Sequence, residues 1–407
     1  MPVADPAVDV RDEIARRSGV VEHPDKVWFH KTAGAVIDAG RCVGCAGCIA
    51  SCPSGSIGVA DDGRPTLVRM CTGCSSCWDF CPLAGLRTER LFRLSRNGHE
   101  PAGEDLGTVR AAYYARARER AESAQDGGVV TSLLTALLEA GTIQGAVVSR
   151  RRNAFHGESV LATTAGEVRT AAGSVYDQTL PLALLSRQLP EGVSSVALVG
   201  TGCQISSVRA LQRYPWPYRG GSLDSVTLAI GLFCTRSFQP QRLRSMLKER
   251  GVPVRRVAAV DIREGRLSVV LDDGEQRELG PVAGFRDASL PGCDECADFG
   301  SRLADLSVGN CGSPAGFSTV LVRTEAGEEA WREASASLEW YPLCDLEPVL
   351  KLERQNRRRA RRRLSRSYAP DGNLWIPYSE HLGAYAGSDR APVASPPHRS
   401  HHYRISC

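Results

Sequence analysis

Apolar and polar positions fall into two rhythms along this chain, and the change between them lies near residue 108. Beyond that point short apolar runs alternate with helix-periodic stretches. Val129–Ala140 has helical spacing, begins after Ser123-Ala-Gln-Asp126-Gly127-Gly128 and stops at Gly141. Gly145–Ser149, Val196–Gly200, Leu306–Val308 and Thr319–Arg323 read as short strands, and Ser225–Phe233 as a continuous apolar strand. Helices are predicted over Ser207–Tyr214 and over Gln239–Arg250, the second ending at Gly251. Val257–Ile262 and Leu267–Leu271, joined through Glu264-Gly265, predict a hairpin, with a further turn at Asp272-Asp273-Gly274. Two helices follow, about Glu325–Leu338 and Leu346–Leu364. The pattern predicts a mixed α/β domain over residues 108–340.

In front of it the rhythm is weaker. Residues 1–39 form a polar lead-in with one strand near Val27–His30. Residues 40–92 contain an internal repeat, with small strands and turns expected at Ser56–Val59 and Ala84–Leu86. Arg93–Glu104, with Asn97-Gly98, Pro101 and Gly103, reads as a linker.

Cysteine spacing gives that repeat its chemistry. Cys42-x2-Cys45-x2-Cys48-x3-Cys52-Pro53 is matched by Cys71-x2-Cys74-x2-Cys77-x3-Cys81-Pro82. A cubane cluster needs four thiolates at the corners of a tetrahedron. Three on a tight loop supply three corners, and in the bacterial ferredoxin pattern the fourth comes from the other run. One [4Fe-4S] cluster is thus expected on Cys42, Cys45, Cys48 and Cys81, and a second on Cys71, Cys74, Cys77 and Cys52. Zinc needs only two Cys pairs and gains nothing from a third Cys in each run. The pattern predicts a bacterial-ferredoxin-like domain that moves electrons.

Composition narrows the setting. The 407 residues are 42% hydrophobic and 24% charged, with a formal net charge of +4, so charge alone implies neither nucleic acid nor membrane. Only four of the 50 basic residues are Lys, a skew of genomic composition rather than function. The N-terminal Met-Pro-Val-Ala-Asp-Pro lacks a basic-then-apolar leader, and no apolar run reaches the roughly 18 residues of a membrane span. With free thiolates required, a reducing cytoplasm is expected. Residues 341–367 form a basic helix. Its Arg357, Arg358, Arg359, Arg361, Arg362, Arg363 and Arg366 suit either an acidic partner or, preferably, a solvated face. Residues 368–407, rich in Pro, Ser, Gly and His, read as a mobile tail, with a weak metal site at His398, His401 and His402 the alternative.

Read from residues alone, Asp126-Gly127-Gly128 opening a helix suits either a pyrophosphate or an ordinary helix start, the glycines letting a ligand approach backbone N–H groups. Cys203 and Cys234 each follow a predicted strand, and Cys293-x2-Cys296 is a two-ligand clip. These four suit either a third cluster or a zinc clip with two buried structural Cys, with Cys311 a rival ligand. Cys344 and Cys407 fit no pattern.

Four stretches resemble the coenzyme F420 hydrogenase/dehydrogenase beta-subunit family. They are Ser123-Ala-Gln-Asp-Gly-Gly-Val-Val-Thr131, Gly200-Thr-Gly-Cys-Gln-Ile205, Gly231-Leu-Phe-Cys234, and Cys293-Asp-Glu-Cys296 leading into Ala304-Asp-Leu-Ser-Val-Gly309 and Gly316-Phe-Ser-Thr319. Gly173-Ser174-Val175-Tyr176 is similar to a further family segment. The similarity spans roughly 108–330. Gly202 stands where the family has Pro, which suggests a more flexible loop, and Asn310-Cys311 replaces an acidic residue and a non-cysteine.

The resemblance implies FAD binding, with contacts from Ser123, Gln125, Asp126, Gly127, Gly128, Thr131, Gly173, Ser174, Tyr176, Thr201 and Gln204. It implies a third [4Fe-4S] cluster on Cys203, Cys234, Cys293 and Cys296, and coenzyme F420 as co-substrate. The expected function is an iron–sulfur flavoprotein oxidoreductase. It would couple hydride chemistry at FAD, with reduced coenzyme F420, to one-electron transfer through the clusters. Asp126 and Tyr176 are the candidate proton donors. The alternatives are a ferredoxin-fed reductase of a small organic metabolite and an electron-relay subunit serving a partner redox protein.

Overall fold

A computed structural model describes residues 27–84, 106–121, 123–213 and 222–364. Its centre is an eight-stranded sheet whose parallel part is made from the apolar runs identified above. The strands are β3 (Ala111–Ala117), β4 (Gly145–Arg151), β5 (Gly157–Ala162), β6 (Val196–Thr201), β7 (Val226–Leu232), β11 (Leu306–Gly309), β12 (Ser318–Val322) and β13 (Leu338–Pro342). They lie in the order β13-β3-β12-β11-β7-β6-β4-β5. The inner four, β11, β7, β6 and β4, are parallel, while β5 and the β12-β3-β13 side pair antiparallel.

Parallel strands covered on both faces carry unbroken apolar runs. Val196, Ala197 and Leu198 of β6 and Ala229 and Ile230 of β7 are fully buried. Helix α1 (Val129–Glu139) covers one face with Val129, Leu133, Leu134 and Leu137, and helix α2 (Gly202–Arg213) covers the other with Ile205, Val208 and Leu211. A satellite sheet of β8 (Val257–Arg263), β9 (Arg266–Leu271) and β10 (Gln276–Pro281) packs on helix α3 (Pro240–Glu249). Helix α4 (Glu325–Ala334) starts where Thr324 Oγ1 accepts from Gly327 N at 3.2 Å, a side-chain cap. Helix α5 (Glu347–Leu364) is the last described element.

The cysteine-rich module sits in front, with a two-stranded ribbon of β1 (Ile57–Val59) and β2 (Pro65–Leu67). It is embedded in the same core as the α/β domain. Val36, Ile37, Ile49, Phe80 and Leu83 share one apolar cluster with Leu182, Leu185, Ile205 and Leu211. Burying a side chain such as Phe80 or Leu83 contributes roughly 1.5–3 kcal/mol. The shared core therefore fixes the module against α2.

Several expectations change. Val27–His30 is not a strand: Phe29–Thr32 is a helical turn followed by a π-type turn over Ala33–Asp38. Val27 and Phe29 are both buried, so their period-two burial imitates a strand. The helix predicted to reach Leu338 ends at Ala334, and Leu338 opens β13 instead. The helix expected over Ser207–Tyr214 begins at Gly202, immediately after β6. Ala84 lies in a turn, while Leu86, the linker Arg93–Glu104, Tyr214, Arg366, the tail with its His cluster and Cys407 lie outside the described residues.

Candidate redox site

The two ferredoxin-like runs fold as two copies of one loop. Gly44 and Gly73 have φ of 66° and 69°, and two residues on Ala46 and Ser75 have φ of 61° and 65°. Left-handed backbone at a non-glycine is strained, and its repetition at matched positions marks a loop bent round a common object. Backbone N–H groups turn inward as a result. Gly44 N lies 3.4 Å from Cys42 Sγ, Gly73 N 3.4 Å from Cys71 Sγ, and Ser56 N 3.2 Å from Cys52 Sγ.

The thiols group across the two runs. The thiol charges that act on Cys48 are those of Cys45, Cys42, Cys81 and, more weakly, Cys77. Those acting on Cys77 are Cys74, Cys71 and Cys52. Burial pushes Cys42 up to about 11 and Cys77 up to about 12, so thiolates there would need a cation, such as the iron of a cluster, beside them. Cys52, Cys71, Cys74 and Cys77 line a cleft with about 270 Å³ of empty space. Among the described residues no three His, Cys, Asp or Glu side chains converge closely enough for a single metal ion.

A third quartet forms at the carboxyl edge of the parallel strands, where open α/β sheets collect their loops. Cys203 follows β6 and opens α2, Cys234 follows β7, and Cys293 and Cys296 flank the end of the turn Pro291–Glu295. Cys203 is pushed well above its usual value by burial, then by Cys45, Cys296 and Cys234. Cys234 is pushed up to about 12 by burial, with Cys293 adding to the rise. Ser237 N points at Cys293 Sγ at 3.5 Å, and Thr201 Oγ1 lies 3.2 Å from Cys203 Sγ. The quartets influence one another electrostatically: Cys77 acts on Cys48, Cys45 on Cys203 and Cys293 on Cys42.

A polar frame holds this third set. Gln204 Oε1 accepts from Thr201 N at 2.9 Å, Gln204 Nε2 donates to Gln178 Oε1 at 3.0 Å, and Gln178 Nε2 donates to Ser237 Oγ at 2.9 Å. Gln204 and Thr201 thus brace the thiol loops. Gly202 is tightly packed, not flexible: a Cβ there would stand 2.7 Å from Asp298 Oδ2 and 2.9 Å from Asp298 O. Cys311 is apart from the quartet, packed among Phe233, Val349 and Leu346, and Cys344 is exposed.

The segment 123–131 runs from β3 into α1. Gly127 is clamped between strands, its N donating to Ser318 Oγ at 3.2 Å and its O accepting from Ala117 N at 2.7 Å. A Cβ on Gly127 would lie 2.4 Å from Ala115 O. Gly128 N is turned back to Gln125 O at 3.2 Å. The glycine N–H groups therefore serve the framework, contrary to the expected phosphate cradle. The first turn of α1, containing Thr131, has no side-chain cap, so N–H groups there remain for an anionic ligand. Asp126 has φ of 48°, and burial raises its carboxyl while Arg263 opposes the rise. Asn310, the family departure, hydrogen-bonds this same carboxylate.

Gly173, with φ of 102°, passes so close to Ser123 that a Cβ would stand 2.8 Å from its carbonyl. Ser174 O accepts from Arg151 Nη2 at 3.1 Å. Tyr176 OH lies 3.0 Å from Gln125 Nε2 and accepts from Ile262 N at 3.0 Å. Its phenol is pushed up to about 12 by burial. Both partners tie the satellite sheet to the 123–131 segment, so Tyr176 acts as a structural pin as placed, not as an open proton donor. Ser174 and Tyr176 also line a cleft with about 330 Å³ of empty space, shared with Arg151, His156 and Asp177.

Two residues escaped the sequence reading. Arg359 of the basic helix turns inward, and its Nη2 donates to Thr235 O at 3.0 Å and to Cys293 O at 3.1 Å. Arg41 forms a buried pair with Glu295, Nε to Oε1 at 3.0 Å and Nη2 to Oε2 at 3.0 Å. The signal for the Arg41–Glu295 pair was adjacency to a cysteine motif, Arg41 before Cys42 and Glu295 before Cys296; Arg359 carried no such signal.

Residues 34–82 match a 4Fe-4S dicluster domain. Residues 112–186 and 193–342 match the N-terminal and C-terminal models of the coenzyme F420 hydrogenase/dehydrogenase beta subunit. The chain is 33% identical over 356 residues to the coenzyme F420-dependent sulfite reductase of Methanocaldococcus jannaschii, covering 82% of this chain and 52% of that one. It therefore spans about half the length of that relative. With the coenzyme F420 hydrogenase subunit beta of Methanothermobacter thermautotrophicus it is 32% identical, over 64% of this chain and 95% of the relative. A chain in the structure of the F420-reducing [NiFe] hydrogenase complex from Methanosarcina barkeri superposes with a TM-score of 0.61 at 28% identity. That match covers 67% of this chain and 98% of the other. No helix among the described residues is long and apolar enough to cross a membrane. The chain belongs to the coenzyme F420 hydrogenase/dehydrogenase beta subunit family and carries a 4Fe-4S dicluster domain ahead of the family segments.

Proposed function

We propose that this protein is an FAD- and [4Fe-4S]-dependent oxidoreductase that takes electron pairs from reduced coenzyme F420 and passes them singly along three clusters. The observation that supports this reading is that the first thiol set interacts electrostatically with both of the others, through Cys48 with Cys77 and through Cys45 and Cys42 with Cys203 and Cys293. A row of one-electron centres has no structural purpose that a single cluster would not meet. Bound FAD would supply exchange between paired and single electrons, and the clusters would supply the one-electron sites.

The chain's own residues do the rest. Cys42, Cys45, Cys48 and Cys81 would hold one cluster, Cys71, Cys74, Cys77 and Cys52 a second, and Cys203, Cys234, Cys293 and Cys296 the third. Thr201, Gln204, Gln178 and Ser237 orient the loops that carry the third set. The uncapped first turn of α1 would face the pyrophosphate of FAD. Asp126, held between Arg263 and Asn310, is the acid placed at that segment to hold a proton.

The similarity to proteins named for coenzyme F420 supports that donor over a ferredoxin. Mixing anaerobically purified holoenzyme with reduced coenzyme F420 tests it. Bleaching of the flavin and of the cluster absorption is expected. Bleaching by reduced ferredoxin alone would refute the donor and favour a ferredoxin-fed reductase.

A further inference from the structure

Helix α5 begins after residue 342, where the family match ends, yet it reaches the third quartet. Its Arg359 is only 17% exposed, and Nη2 is fixed on Thr235 O and Cys293 O. Arg359 Nε stands 3.6 Å from Asp294 Oδ1, and Arg236 Nη2 stands 3.8 Å from the same oxygen. The other oxygen of Asp294 takes Arg286 at 2.9 Å. One carboxylate thus faces three guanidinium groups, which leaves excess positive charge against Cys234 and Cys293. On the far side Asp298 acts in the other sense on Cys296, and Arg302 lies 3.7 Å from that carboxylate.

We propose that Arg359, seconded by Arg236, is a positioning residue that raises the reduction potential of the third cluster, so that α5 sets how readily this centre accepts an electron. A [4Fe-4S] core takes up one electron with no bond made or broken, and its net charge becomes more negative by one. A fixed cation in a poorly solvated site stabilises that reduced form, and an anion does the reverse. Arg suits the task because it stays charged when buried.

The proposal rests on the third quartet holding a cluster, and its test separates the two. Full-length, anaerobically reconstituted protein is titrated with dithionite and followed by electron paramagnetic resonance. The third centre is the component that Cys296→Ala removes. Arg359→Gln is expected to lower its one-electron reduction equilibrium about tenfold, a midpoint shift of about 59 mV. Arg359→Lys keeps the charge and should retain most of the wild-type midpoint. Asp294→Asn removes the opposing charge and should move the midpoint upward, which tests the proposal even if Arg359→Gln fails to assemble. An unchanged midpoint in Arg359→Gln, or equal falls in the Gln and Lys variants, would overturn it. Wild-type protein with no third component would instead refute the cluster reading.

Discussion

Arg41 and Glu295 stand 254 residues apart in sequence and close a two-pronged ion pair beneath the surface. Arg41 precedes the first cysteine of the ferredoxin-like module, and Glu295 precedes Cys296 of the third quartet. The same guanidinium donates to Leu83 O at 2.9 Å and Ala35 O at 3.1 Å, so one side chain joins both halves of the module to the α/β domain. Next to it Gly292 has no room for a side chain, since a Cβ would stand 1.9 Å from Arg41 O. The spacing between the first and third quartets is thus fixed by packing.

Removing one partner of that pair should be costly. Arg41→Ala breaks a buried ion pair by removing the guanidinium from Glu295, which is 2% exposed, a loss of about 3–5 kcal/mol. Chemical denaturation of the anaerobic protein measures it. Replacing Arg41 and Glu295 together with apolar residues should recover part of the loss, and a double variant as unstable as the two singles summed would contradict the pairing.

Cross-ligation predicts which spectra change together. Cys81→Ser should perturb the same paramagnetic component as Cys42→Ser and leave that of Cys71→Ser intact. Cys52→Ser should behave as Cys71→Ser does. Pairing within each run, Cys81 with Cys71, would contradict the grouping found among these thiols.

Gly127→Ala places a methyl group 2.4 Å from Ala115 O and 2.8 Å from Ser318 N. The β3–β12 side must shift, at about 1–3 kcal/mol. Flavin content should fall while iron content stays near wild type, because no thiol loop touches this segment. Full flavin with normal stability would place the cofactor elsewhere.

Burial pushes the Glu353 carboxyl up to about 7 from 4.5, with Arg302 opposing and Asp298 adding to the rise. Between those pH values the folded protein holds a proton that the unfolded chain has released. Stability should therefore fall as pH rises through that window, at up to about 1.4 kcal/mol per pH unit. Glu353→Gln should flatten the slope, and an unchanged slope would remove Glu353 as its cause.

Legibility in the sequence followed how local each signal is. Both ferredoxin-like quartets are readable because three of the four ligands of each sit within one short run, and the tetrahedron dictates their spacing. The third quartet is scattered from Cys203 to Cys296, so only the resemblance joined it, and the strand order explains why its members meet. Helix α5 was taken for a solvated surface for a physical reason. Its buried face is Val349, Glu353, Asn356 and Ala360, which has helical spacing but is half polar. Hydrophobic periodicity cannot see such a face, and Arg359 beside it went unnoticed. Strands β3 and β13 were missed because both sit at the antiparallel side, β13 is largely exposed and β3 is mostly Ala and Tyr.

The central claim is that three clusters and one flavin share this chain. Iron, acid-labile sulfide and flavin counted on anaerobically purified full-length protein test it most directly. The account predicts about twelve iron, about twelve sulfide and one FAD per chain, four irons to each cubane. Eight iron would remove the third cluster, and zinc in place of iron with no flavin released on denaturation would contradict the account as a whole.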